Sequence, residues 1–176
     1  MTGSGPNWYA LYLRSRYEKK VDGDLKGKGV ETFLPMIEEV HVWSDRKKKV
    51  MEPLFRGYLF VKTDLRDRAR IVTTEGVVRF VGINGKPSVI RESEIDWVRP
   101  VIGQPMDLKR EPYLEVGKRV RVIAGPLLGV EGIVIHKQGV SRVVVSVEAI
   151  AQSVSVKVPA DLLEVIHVPK KTPDQK

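Results

Sequence analysis

The chain has 176 residues, 42% of them hydrophobic, and a formal net charge of +8. This length suits one domain of ordinary size or two small ones. The absence of cysteine excludes disulfides, thiolate metal sites and cysteine nucleophiles, and it fits a reducing, cytoplasmic location. No apolar run reaches the roughly 18 residues of a membrane-spanning helix, so no membrane partner is expected. The basic balance favours an acidic partner such as nucleic acid.

The first part of the chain mixes predicted strands with predicted helices. Residues 1–7 form an expected disordered lead without the pattern of a signal peptide. Alternating apolar residues predict a strand over 8–14 and, after it, an amphipathic helix over 18–28 that Gly27 and Gly29 end. The remaining elements are a β-rich segment over 30–43 broken at Pro35, a strand over 57–63, a helix from Asp64 to about Thr73, a strand over 76–83, a tight turn at Asn84-Gly85 and a helix over 92–101.

This order predicts an α+β domain over residues 8–103, with an antiparallel sheet and helices packed on one face. A doubly wound parallel sheet needs a helix between nearly every pair of strands, and residues 30–63 lack one. Residues 104–113 are rich in helix and strand breakers and are predicted to be a linker. Five short predicted strands follow within about 50 residues, which indicates a small all-β barrel over 114–168. They cover 119–124, 132–136, 142–147, 154–158 and 162–166, and a disordered tail over 169–176 completes the chain.

No group of residues supports catalysis or cofactor binding. The glycines over 23–29 resemble a phosphate-binding loop, but the spacing is one residue short and Gly29 stands where a Ser or Thr should bind magnesium. His41, His136 and His167 lie far apart in sequence, and none has a second ligand at metal spacing. We therefore expect a binding protein without metal or cofactor, not an enzyme.

The segment 44–61 combines a basic run with an aromatic strand. Tyr58 and Phe60 share one face of their strand, and Tyr12 lies on the corresponding face of the first strand, with Phe55 at the rim. We interpret these aromatic side chains as an exposed interface; the alternative is that another part of the same chain covers them.

The basic run itself is predicted to be a loop that contacts nucleic acid. It consists of Arg46, Lys47, Lys48 and Lys49, and a second basic group over 14–20 follows the first strand. Two basic groups on one small domain favour contacts with phosphates. The alternative is a solvated charge run that keeps an edge strand soluble.

Residues 116–132 carry the strongest motif of the chain, a basic strand that enters a glycine-rich loop. Glycine there permits positive φ and close approach of the backbone. This segment resembles a KOW motif, with the loop residues Gly125, Pro126, Gly129, Val130 and Gly132. The preceding domain resembles the N-terminal domain of the NusG family through Trp8-Tyr9, Phe33-Leu34-Pro35 and the run 53–61. The resemblance covers residues 7–168 in the family's order, and the run 52–61 looks closer to specialised paralogues, the RfaH-like and capsule-operon UpxY-like factors.

The resemblance implies a monomeric transcription elongation or antitermination factor that binds RNA polymerase and suppresses pausing or termination. Carried over by position, the polymerase-binding residues are Tyr12, Glu52, Phe55, Tyr58 and Phe60. Contacts with DNA of the transcription bubble are implied near the first helix and, with the basic run, give the expected set Trp8, Arg14, Arg16, Lys20, Arg46, Lys47, Lys48 and Lys49. Rho or a ribosomal protein is an expected partner of the KOW loop, although Val130 replaces the aromatic residue of housekeeping members.

A further expectation concerns the conformation of the barrel. One paralogue of the family switches its second domain between helix and barrel. Residues 143–147 and 154–158 are rich in β-branched side chains, which disfavour helix, so we predict a constitutive barrel.

The competing interpretation of the whole chain is an RNA-binding or ribosome-associated KOW protein. The basic residues Lys118, Arg119, Arg121 and Arg142 leave it open.

Overall fold

The computed structural model describes residues 5–43, 46–102, 108–111, 118–137 and 140–166. Its helices are α1 (Glu18–Gly27), α2 (Arg68–Val72) and α3 (Glu92–Ile102). Before and between them lie β1 (Asn7–Leu13), β2 (Glu31–Phe33), β3 (Met36–Val42), β4 (Lys47–Pro53), β5 (Tyr58–Thr63), β6 (Val77–Phe80), β7 (Gly82–Ile83) and β8 (Lys86–Pro87). The second part contains β9 (Leu108–Glu111), β10 (Lys118–Val122), β11 (Glu131–Lys137), β12 (Val140–Val147), β13 (Gln152–Lys157) and β14 (Leu163–Val165).

The first part is built on a four-stranded antiparallel sheet with the order β2-β5-β1-β6. Side chains alternate across this sheet with a period of two, as the sequence predicts. One face carries Leu11, Leu13, Leu59 and Val61, which are buried in one cluster with side chains of α1 and α2. The predicted helix starting at Asp64 begins as a 3-10 turn, Leu65–Asp67, in which the Asp64 side chain accepts a hydrogen bond from the Arg66 N–H.

The opposite face of the sheet is also covered, by α3. Trp8 and Phe60 on this face are buried in one cluster with Ile95, Val98 and Val101 of that helix. The α+β fold with an antiparallel sheet is confirmed, but the expectation that the helices pack on one face is wrong. Helix α3 has an apolar stripe of its own, and packing this stripe on the aromatic face of the sheet removes both from water.

Strands β3 and β4 form a separate two-stranded hairpin that is not part of the main sheet. Its register runs from Met36 opposite Pro53 to Val42 opposite Lys47. The loop predicted for the basic run is therefore wrong for Lys47–Lys49, which belong to β4. An exposed hairpin tolerates lysines because their charged ends reach solvent while the backbone pairs, and Lys49 Nζ also lies 2.8 Å from Glu38 Oε1.

The second part is a six-stranded antiparallel sheet with the order β14-β10-β11-β12-β13-β9. It contains the five predicted barrel strands, and residues 143–147 and 154–156 are extended, as their β-branched side chains favour. The predicted linker differs, because Leu108–Glu111 pair with β13 as an additional edge strand. Position 132 requires glycine because the neighbouring strand approaches closely: an added Cβ would lie 2.3 Å from the Val144 carbonyl oxygen.

The two parts contact each other through the first turn of α3. Glu94, which is buried, accepts a hydrogen bond from the Arg91 N–H at 3.0 Å with one carboxylate oxygen. Its other oxygen accepts the Glu148 N–H of the barrel at 3.0 Å. A second link is the exposed pair between Arg91 and Glu148, 3.2 Å apart. One carboxylate thus stabilises the start of a helix and joins it to the neighbouring domain.

Replacing Glu94 by alanine should lower the free energy of unfolding by about 1–3 kcal/mol, since the N–H groups of Arg91 and Glu148 both lose their carboxylate acceptor at a partly buried contact. Urea denaturation of the full chain measures this. Glu148→Ala is the matched control, because it keeps the backbone N–H and removes only an exposed ion pair worth at most about 1 kcal/mol. Equal losses for the two variants would contradict the buried carboxylate as the main link.

Several expectations lie outside the described residues. They concern residues 1–4 of the lead, Ser44 and Asp45 of the basic segment, residues 103–107 and 112–113 in and beside the linker, barrel residues 114–117, 138–139 and 167–168, and the tail over 169–176. Within the described part, no helix is both long and apolar enough to cross a bilayer.

Candidate functional site

Tyr12 and Tyr58 form the exposed part of the aromatic face. They lie opposite each other in the register of β1 and β5, and their ring centroids are 5.6 Å apart with a tilt of 54°. Tyr12 is 39% exposed and Tyr58 is half-buried. The Arg79 guanidinium lies over the Tyr12 ring at 5.5 Å, so a cation borders the pair. The sequence correctly places both rings on one face.

The other aromatic side chains expected at this surface are buried. Phe60 has 0% exposure and Phe55 2%. Phe60 stacks on Phe33 with a centroid distance of 6.1 Å and meets Phe55 edge-on at 5.8 Å. The prediction that Phe55 and Phe60 are exposed interface residues is therefore wrong, because α3 covers this end of the face.

Trp8 is buried too, which contradicts its expected role as a nucleic-acid contact. Its indole N–H donates to Glu92 Oε1 at 3.1 Å. The Lys62 ammonium and the Arg99 guanidinium each lie 5.7 Å from the indole centroid. The hydrogen bond from Trp8 and the ion pair with Lys62 lower the pKa of the Glu92 carboxyl. Trp8 thus anchors the start of α3 to the sheet.

A groove of about 690 Å³ lies beside the tyrosine pair, between α1 and the β3–β4 hairpin. Its lining includes Tyr12, Arg16, Glu52 and Arg56. Two contacts fix its walls. Lys19 Nζ donates to the Met51 carbonyl oxygen at 3.0 Å, and the buried Glu18 carboxylate accepts the Gly57 N–H at 2.8 Å. The fold thereby brings together Tyr12 and Glu52, two of the expected polymerase contacts, and Arg16, an expected DNA contact.

The basic residues near α1 differ in how far their charge is compensated. Arg14 and Arg16 are exposed, and Arg16 has a φ of +67° in the turn before α1. Lys20 forms an ion pair with Glu75. The hydrogen bond in that pair raises the pKa of Lys20 and lowers the pKa of Glu75. Lys20 is therefore a weaker candidate for a phosphate contact than the two arginines.

The rest of the basic set lies at the end of the β3–β4 hairpin. Lys47, Lys48 and Lys49 are exposed on β4, and Arg46 precedes them. The sequence analysis did not single out Trp43, which directly follows β3 at the end of the hairpin and is 57% exposed. The guanidinium of Arg46 lies 5.9 Å from its ring centroid. The signal available in the sequence was an aromatic residue close before a basic run.

The barrel loop has the expected glycine geometry but a buried Val130. Gly125 and Gly129 have φ values of +83° and +84°, which confirms that these positions need glycine. Val130 is buried in the barrel core, so its side chain is not a surface contact, whereas Ile123 and Leu128 nearby are exposed.

Two of the four barrel cations that left RNA binding open are engaged within the barrel. Arg142 is buried, and its guanidinium donates to Ser155 Oγ at 2.8 Å and to the Ser155 carbonyl oxygen at 3.1 Å. Arg121 pairs with Glu131 at 2.6 Å. Lys118 and Arg119 remain exposed.

Comparison with known proteins identifies the family. The family model for NusG, described as transcription termination factor, matches residues 6–99. The chain belongs to the NusG family. NusG of Helicobacter pylori strain J99 is 31% identical over 132 residues, which is 68% of this chain and 75% of that protein. NusG of Bacillus subtilis strain 168 is 30% identical over 141 residues, 72% and 78% of the two chains. Both are named transcription termination/antitermination proteins.

A solved NusG structure supports the fold. The structure titled "Domain interaction in Thermotoga maritima NusG" covers 92% of this chain and 98% of its own, with a TM-score of 0.52 and 23% identity. The likeness in fold therefore extends over both the α+β domain and the all-β domain. The relatives quoted carry the general NusG name, and the closer likeness to specialised paralogues stays a prediction.

Proposed function

We propose that this NusG-family protein binds RNA polymerase through the tyrosine pair and the adjacent groove, and that it suppresses pausing or termination. The observation that carries this is the pair Tyr12–Tyr58, which stays accessible on an otherwise covered sheet face beside a groove with fixed walls. Tyrosine supplies a large contact area with little conformational freedom to lose, which suits the centre of a protein interface. Glu52 and Arg56 on the groove wall supply charged groups at its border.

The mechanism is binding without chemistry. A factor that binds one conformation of the polymerase more tightly shifts the equilibrium toward it by the ratio of the two affinities. By the family resemblance, the favoured state is the closed clamp that elongates without pausing. DNA of the transcription bubble is the second proposed contact, through Arg14 and Arg16 near the groove and through the basic end of the β3–β4 hairpin.

Transcription through a defined pause site tests this proposal. Adding the purified protein to RNA polymerase should shorten the pause, and the effect should saturate with protein concentration. Heat-denatured protein is the control. Unchanged pausing together with no retention on immobilised polymerase would overturn the proposal.

Two finer proposals concern specificity and the barrel. The run 52–61 favours a specialised factor that serves a subset of operons, and transcript profiles of a deletion strain test it. Changes confined to a few long operons support it, and a general growth defect contradicts it. For the barrel, exposed Ile123 and Leu128 support contact with Rho or a ribosomal protein. Binding of free RNA is the less favoured alternative, because Arg121 and Arg142 are engaged within the barrel.

A further inference from the structure

Helix α3 is covered on more than one side. Of its 11 residues only Glu92, Asp96 and Arg99 are exposed. Their spacing of four and three positions places these three residues on one narrow stripe along the helix. An amphipathic helix that lies on a single sheet keeps a broad polar face in water. The sheet alone therefore does not account for the burial of α3, and a second element must cover it.

The barrel is this second element. Strand β12 contacts α3 along the chain of tertiary contacts between the domains. Val145, Val147 and Ile150 of the barrel are buried in the same cluster as Val98 and Val101 of the helix. The core of the first domain thus continues into the core of the barrel. We refer to the contact of α3 and its first turn with the barrel as the domain interface.

Polar contacts and a short connection also fix the domain interface. Buried Glu94 accepts the Glu148 N–H at 3.0 Å, and the Arg91 guanidinium lies 3.2 Å from the Glu148 carboxylate. The connection is short because α3 ends at Ile102 and Leu108 pairs with β13 of the barrel. Domains of one chain generally move relative to each other unless their interface is large and apolar. The shared apolar core favours a fixed arrangement here.

The docked barrel leaves both proposed partner surfaces accessible. The polar contacts of the domain interface lie at the start of α3, which the hydrogen bond from Trp8 to Glu92 holds near one end of β1. Tyr12 lies four residues further along this strand, about 13 Å away. Tyr12 is 39% exposed, and Ile123 and Leu128 of the barrel are 48% and 67% exposed. The docked arrangement therefore does not need to open before either surface can be reached.

We propose that the two domains work as one rigid body, so that a partner of the barrel is held at a fixed position relative to RNA polymerase while the domain interface stays closed. Opening the interface would expose apolar side chains of α3 and β12 to water. Neither partner surface becomes more accessible in return, so partner binding gives no free energy that favours the open state. The part of this proposal that concerns polymerase rests on the proposed function.

Backbone nitrogen relaxation in NMR spectra of the full chain tests the rigidity. Both domains should report one rotational correlation time, that of the whole chain, because rigidly docked domains tumble together. Two different correlation times, each typical of a single small domain, would overturn the proposal.

Hydrogen exchange of the Glu148 amide gives a local measurement of the same interface. This amide should exchange at least about tenfold faster in Glu94→Ala than in the unchanged protein, because it loses its acceptor. Asp96→Asn, which changes an exposed carboxylate on the same helix, is the matched control and should leave the rate unchanged. Equal rates in Glu94→Ala and the unchanged protein would show that the interface is already open in solution and would contradict the proposal.

A cross-link across the domain interface tests whether the closed arrangement is active. The chain contains no cysteine, so Arg91→Cys combined with Glu148→Cys gives two unique thiols at exposed positions, which a short bismaleimide can join. The substitutions remove the ion pair between these side chains and the contact of Arg91 Nε with Glu94, while the backbone N–H groups stay in place.

The cross-linked protein should bind RNA polymerase and shorten the pause as well as the same double variant without the reagent. Each single-cysteine variant treated with the reagent controls for the modification itself. Loss of pause suppression in the cross-linked protein alone would show that the domains must separate, and it would overturn the proposal.

The double variant without the reagent separates this proposal from the function on which it rests. If this protein and the unchanged chain both fail to bind RNA polymerase, the proposed function is overturned, and the relaxation measurement still decides the rigidity. If both bind and only the cross-linked form fails, the polymerase contact stands and the rigid arrangement is overturned.

Discussion

Replacing Phe60 by alanine should lower the free energy of unfolding by about 3–5 kcal/mol. The side chain has no exposure and packs against Phe33 and Phe55 beneath α3. Its removal leaves a cavity in the cluster that joins the sheet to this helix. Domains of this size are stable by about 5–15 kcal/mol, so the variant loses a large share of its stability. Urea denaturation followed by circular dichroism measures the change.

Tyr12→Ala is the matched control on the same face of the sheet. Its ring is 39% exposed, so truncation should cost about 1 kcal/mol or less. A Phe60→Ala protein as stable as the Tyr12→Ala protein would show that the face is open at Phe60, as the sequence alone indicated. The buried position also means that any loss of polymerase binding by Phe60→Ala reports unfolding and not a lost contact.

The contrast between buried Phe60 and half-buried Tyr58 shows which structural features the alternation of side chains in a strand can predict. Alternation correctly predicts that these two side chains share a face, because the period of a strand is two residues. It does not tell which part of that face another element covers. That depends on where α3 returns to the sheet, and the return is fixed by contacts such as the Trp8–Glu92 hydrogen bond between residues 84 positions apart.

The basic segment and the linker illustrate the same limit. Charge composition predicts solvent exposure of Lys47–Lys49, and the structure confirms exposure but places them in a strand. These lysines form a strand because they pair with β3. A run of four basic residues does not by itself indicate that a neighbouring strand will pair with it. Leu108–Glu111 likewise become a strand only through β13, about 45 residues later. Local signals predicted the barrel strands well because each is bounded by turn residues.

Removing the exposed ring of Tyr12 together with the half-buried ring of Tyr58 should weaken binding to RNA polymerase by about a hundredfold. Truncation of a central interface tyrosine typically costs about 2 kcal/mol or more, and two adjacent rings do not add fully. The Tyr12–Tyr58 pair is the accessible remainder of the aromatic face and borders the groove that contains Glu52. The change to test is Tyr12→Ala combined with Tyr58→Ala, with binding titrated on immobilised polymerase.

Stability and contact must be separated, because Tyr58 packs partly against the core cluster. Urea denaturation of the double variant gives its folded fraction, and Tyr58→Phe keeps the ring while it removes the hydroxyl. If the ring carries the contact, Tyr58→Phe binds nearly as well as the unchanged protein. Ile83→Ala, an exposed apolar change on β7 away from the groove, should bind normally. Full retention of a folded double variant would place the polymerase on another surface of this domain, and the buried aromatic residues could not then supply it without α3 moving away.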